Sequence, residues 1–102
     1  MAITPDSGKQ ITLEEAKDLI SNFKEKFPGQ IKASFLGVNV LNLILQQQNV
    51  MGVRVYYGYN TATDVISPVF VGVNDRGEDM TAILIDRTVN CPVECDASSP
   101  LY

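Results

Sequence analysis

The chain of 102 residues is sized for one domain, and a chain this short buries roughly 60–70% of its unfolded surface in a single modest core. Apolar residues make up 45% and charged residues 20%, which excludes the disordered, collagen-like and coiled-coil classes. With no His, no Trp, two Cys and a net charge of −4, every triad or metal site that needs imidazole is excluded as well.

Residues 1–10, with Pro5, Ser7 and Gly8, read as a loose leader. They lack the basic and apolar regions of a secretory signal, so the expected location is the cytoplasm. A helix starts at Thr12. Thr12-Leu-Glu-Glu15 fits a capping box, in which the Thr hydroxyl and the Glu carboxylate satisfy free backbone N–H groups. Leu13, Ala16, Leu19, Ile20, Phe23 and Phe27 follow at helical spacing as one apolar stripe, and Pro28-Gly29 ends the helix. Residues 31–36 read as an extended approach or an extra turn. Val38, Leu41, Ile44, Leu45 and Gln48 then predict a second helix over 38–48. Asn39, Asn42 and Gln46 form its polar stripe, either a face in water or a helix–helix contact across a dimer.

From Val50 the period changes to two. Val53, Val55, Tyr57 and Tyr59 share one face of a strand, and Gly52, Arg54, Tyr56 and Gly58 the other. Residues 60–64 are turn-like, and a second strand covers 65–73. Its Pro68 cannot donate a ladder hydrogen bond, which predicts an edge or a bulge there. Asn74-Asp-Arg-Gly77 is turn chemistry, residues 81–88 are a third strand, and 91–102 are an irregular tail. The expected fold is α+β: one domain, 1–102, with two N-terminal helices packed on one face of a three-stranded antiparallel meander. No stretch reaches the roughly 18–20 apolar residues of a membrane span.

Charge narrows the partners. Lysines and acids cancel over residues 1–50, Arg54 cancels Asp64, and the acidic excess lies beyond residue 73. No Lys/Arg cluster exists to bind phosphate backbones or an anionic bilayer, so neither nucleic acid nor membrane is an expected partner. No phosphate-binding glycine loop is present, Ser and Thr have no evident activating base, and nothing selects a catalytic carboxylate pair. No cofactor is expected.

Three features carry what chemistry remains. Cys91-Pro-Val-Glu-Cys95 is spaced C-x3-C, one residue longer than the C-x-x-C of thiol oxidoreductases. It fits a local disulfide, a pair of free or packed thiols, or a redox or zinc site; zinc, with Glu94 or Asp96 as added ligands, would have to be shared between chains. Residues 74–79 have the oxygen-rich look of a calcium loop, but the twelfth position is Ile85 and the EF-hand pattern fails. The plain reading is a solvated turn; the other is a weak divalent site at Asp75, Glu78 and Asp79. Arg54 and Tyr56, flanked by Gly52 and Gly58, are candidate ligand-binding residues. Either the guanidinium clamps a carboxylate or phosphate, or Arg54 pairs with an acid across strands or packs on Tyr56.

Ile31-Lys-Ala-Ser-Phe35, Gly52-Val-Arg-Val-Tyr-Tyr-Gly58, Val71-Gly-Val-Asn-Asp-Arg-Gly-Glu-Asp-Met80 and Cys91-Pro-Val-Glu-Cys95 together resemble a group of small uncharacterised bacterial proteins. Their pattern joins a G-V-R-[IV]-Y-Y-G strand, a V-G-V-[DN]-x-x-G-x-D-M hairpin and a C-P-x-x-C tail. The resemblance implies no activity or cofactor; it ranks Arg54, Tyr56, Cys91 and Cys95 as the residues to test first. The leading functional expectation is a small non-catalytic binding or protein-interaction domain, a homo-oligomer through the tyrosine-bearing sheet. The alternatives are a thiol-dependent function of Cys91 and Cys95, or a small-anion site at Arg54.

Overall fold

The structure, a computed structural model, describes residues 2–91 and 95–102. In chain order it contains α1 (Leu13–Lys26), β1 (Ala33–Phe35), α2 (Val38–Leu45), β2 (Val50–Asn60), β3 (Val65–Asn74), β4 (Asp79–Ile85) and β5 (Val89–Cys91). The mixture of helices and antiparallel strands is α+β. The single meander is corrected: the strands form two sheets, β2-β3-β4 and a separate pair β1-β5. The chain divides into two compact units. One comprises Met1–Gly8 with Leu36–Thr88, the other Lys9–Phe35 with Val89–Tyr102.

The first unit is built on the β2–β3 hairpin, which pairs Gly52 with Val73 and runs in unbroken antiparallel register to Asn60 opposite Val65. Alternation along β2 places Val53, Val55, Tyr57 and Tyr59 opposite Gly72, Phe70, Pro68 and Ile66 on one face. α2 lies against this face. A Cβ built on Gly72 would stand 3.1 Å from Ile44 Cγ2 and 2.8 Å from Gln47 Oε1, so glycine is what lets the helix seat on the sheet. Ile44 is wholly buried there. On the other face Val71 and Val73 are buried. β4 joins β3 through Val73–Asp79 and Val71–Leu84, with a register shift between. The turn between them is set by Asn74, whose Oδ1 accepts from Arg76 and Glu78 N–H at 2.9 and 3.0 Å, and by Gly77 at φ +79°.

α2 ends at Leu45, earlier than the hydrophobic spacing predicts. Gln46 to Asn49 turn instead, with Asn49 at φ +69° and Val50 N–H donating to the Gln47 carbonyl, and this aims the chain into β2.

The second unit holds α1, β1 and β5. Thr12 caps α1 by accepting the Glu15 N–H at 3.1 Å, Glu14 and Glu15 sit in the first turn, and Lys24 and Lys26 in the last. The apolar stripe is unevenly used: Ala16, Ile20 and Phe23 are half-buried, while Leu13, Leu19 and Phe27 are exposed. β1 pairs with β5 through Ala33–Cys91, Ser34–Asn90 and Phe35–Val89. β5 thus ends on Cys91, the first residue of the expected tail, and residues 31–36, read from sequence as an extended approach or an extra turn, contain its partner strand. Ile31 and Cys91 are the buried apolar residues of this unit.

Candidate functional site

Arg54 and Tyr56 stand two residues apart on β2, hence on the same face, above their β3 partners Val71 and Val69. Asp79 opens β4 opposite Val73 on that face. Both long side chains reach it over β3. Arg54 Nη1 donates to Asp79 Oδ1 at 2.5 Å, and the Tyr56 hydroxyl donates to Asp79 Oδ2. The three groups thus form a strap from β2 to β4 that crosses the buried valines of the central strand.

The electrostatics follow from the two hydrogen bonds. Asp79 is held below the usual carboxylate range, first by the Tyr56 hydroxyl and then by Arg54, with partial burial opposing both. The Tyr56 phenol is raised, chiefly because its proton is held by the Asp79 carboxylate. Arg54 is raised too, again led by Asp79. A phenol whose proton is held more tightly is a poorer acid and a poorer source of phenolate, so the arrangement does not activate Tyr56 as a nucleophile. For Arg54, Nη1 already donates to an internal carboxylate, that of Asp79. A cavity of about 210 Å³ opens beside Arg54, between Ile3, Thr4 and Pro5 of the leader and Met51, Gly52 and Val73 of the sheet.

The sequence placed Arg54 and Tyr56 together but did not nominate Asp79 as their partner. Its role is set by β4 lying two strands away, and the one local signal was its place just after the glycine turn.

Tyr57 and Tyr59 point to the opposite face, the one on which Ile44 and Gln47 stand against Gly72. Tyr57 is 88% exposed and Tyr59 57%. Comparison of the chain with models of protein families, with curated proteins and with solved structures finds no match.

In the second unit, Cys91 and Cys95 are joined as a disulfide with Cα atoms 5.0 Å apart. The pair lines a cavity of about 250 Å³ with Ile20, Ala33, Leu101 and Tyr102. Lys32 stands 4.0 Å over the Tyr102 ring and donates to the Tyr102 main-chain oxygen at 2.6 Å; Lys24 donates to the same oxygen at 3.0 Å. Asp96 is held below the usual carboxylate range by the Ser98 hydroxyl and N–H. Glu94, considered above as a metal ligand, lies outside the described residues. Of the candidate calcium-loop residues, Glu78 pairs with Arg76 Nε at 3.1 Å, and Asp79 accepts from Arg54 and Tyr56. Among the described residues no group of three acidic or thiol side chains converges on one point. Among them too, no helix is long and apolar enough to cross a membrane.

Proposed function

We propose that the protein is a small non-catalytic interaction domain whose contact surface is the tyrosine-bearing end of the β2–β3 sheet. The observation that carries this reading is the 88% exposure of Tyr57, with Tyr59 57% exposed on the same face. Monomeric proteins place single apolar residues on their surface routinely, but a run of exposed aromatics on a rigid strand is what contact surfaces use. Tyrosine supplies large contact area at low cost in side-chain freedom. The Arg54–Tyr56–Asp79 strap supports the reading from the other face: it ties β2 to β4 across β3, so Tyr57 is presented on a braced sheet.

Light scattering during size-exclusion, over a concentration series, tests it. The expected mass rises above that of one 11.2 kDa chain as concentration increases, and Tyr57→Ser with Tyr59→Ser moves the rise to at least tenfold higher concentration. A mass of one chain throughout removes the homo-oligomer; unaltered association in the double variant removes the tyrosine surface.

A further inference from the structure

We infer that the occupant of this surface is a second copy of the chain, docked by antiparallel pairing of β2 with β2 about a two-fold axis at Tyr57. The inference rests on the reading of β2 as a contact surface and specifies how the contact is made. β2 is an edge strand of its sheet. Among the described residues its main chain is bonded to β3 and, at its two ends, to Gln47 and Asp64. Its outer row of N–H and C=O groups therefore has no partner among the described residues, and another strand satisfies such a row best.

Edges of this kind are ordinarily blunted by proline, lysine, bulges or shortness. β4, the opposite edge, is short, begins with Asp79 and carries a register shift. β2 is 11 residues long and has neither Pro nor Lys. Its bulge falls at its start, between Val50 and Gly52, and its one charge, Arg54, is turned to Asp79. The half from Val55 to Asn60 keeps a regular, uncharged edge. The leader lies beside Met51 to Arg54, which favours a two-fold at the far half of the strand.

A two-fold at Tyr57 makes the strand complementary to itself. Tyr57 faces its own copy and Val55 faces Tyr59, giving aromatic and β-branched pairs on the face that carries the exposed tyrosines. On the other face Tyr56 lies opposite Gly58, which leaves room for the ring. Arg54 lies opposite Asn60, so no like charges oppose across the axis. The four tyrosines from positions 57 and 59 carry roughly 150–250 Å² each when wholly buried. Partly buried, they stay below the ~1,600 Å² of a standard interface, so the dimer is weak and concentration-dependent.

Cysteine cross-linking tests the register. Directly opposed residues of an antiparallel pair have Cα atoms roughly 4.5–5.5 Å apart, within disulfide range. Under mild oxidation Tyr57→Cys is expected to give a covalent dimer linked at that position, as located by peptide mapping. Val55→Cys alone is expected to give none, and a mixture of Val55→Cys and Tyr59→Cys a heterodimer. Wild-type amide exchange supplies an arm free of substitution: outward-facing amides between 54 and 60 slow as concentration rises. Association with neither the Tyr57 cross-link nor slowed exchange overturns strand pairing and leaves the contact surface standing. A single-chain mass at millimolar concentration overturns the second copy as occupant.

Discussion

Asp79 joins β4 to β2 by accepting from Arg54 and Tyr56, and its effect on stability has a definite sign. Its carboxylate is held below the ordinary range in the folded chain, so the contribution is complete above the unfolded value, near 3.8, and is lost as pH falls through the lower folded value. Tyr56 acts at the other extreme. Its raised phenol contributes below about 10 and loses that contribution as pH climbs through the folded value. Asp79→Asn is therefore expected to lower stability at neutral pH and to flatten the acid limb of the pH–stability curve in urea titrations. An acid limb identical to wild type would contradict the strap. Packing gives a second pair of tests at this scale. Ile44→Ala is expected to cost about 2–5 kcal/mol, because the side chain is wholly buried. Gly72→Ala should cost about 1–3 kcal/mol, since its Cβ would stand 2.8 Å from Gln47 Oε1 and 3.1 Å from the wholly buried Ile44, so both must shift. Calorimetric and denaturant midpoints check both.

The elements that sequence disclosed are those whose signal is local. Thr12 and Pro28-Gly29 bracket α1 because capping and proline geometry act within one turn. β2 was legible from its change of period at Val50, and the two faces read from that alternation are the two that the register produces. β1 and β5 were not legible: each is three residues long, too short for a period, and each exists only because the other lies beside it. Asp79 escaped as the partner of Arg54 for the same reason, since the pairing depends on the register of a third strand. The cysteines were legible as a pair but not in their state. The disulfide closes a loop of about five residues and is expected to stabilise the second unit by about 2 kcal/mol through lost chain entropy. Cys91→Ser with Cys95→Ser should lower the urea midpoint accordingly. Thiol titration of unreduced, unfolded protein should find no free thiol; two reactive thiols would contradict the bond.

At the scale of the whole molecule, the net charge of −4 opposes association of like chains, while the neutral half of β2 and its exposed tyrosines favour it. The opposition is long-range and screened by salt, with a Debye length of about 10 Å at 0.1 M. The contact at Tyr57 is short-range and apolar. Self-association is therefore expected to strengthen as salt rises from low to physiological ionic strength; weakening with salt would indicate a contact made by opposite charges instead. The most direct test of the account is residue-resolved NMR of the wild-type chain over a concentration series. The amide and ring signals of Val55 to Asn60 should shift with concentration, while those of Ile44 and Val71 in the interior stay fixed. Shifts confined to the exposed side of α2, or none at all, would contradict the assignment of β2 as the contact strand.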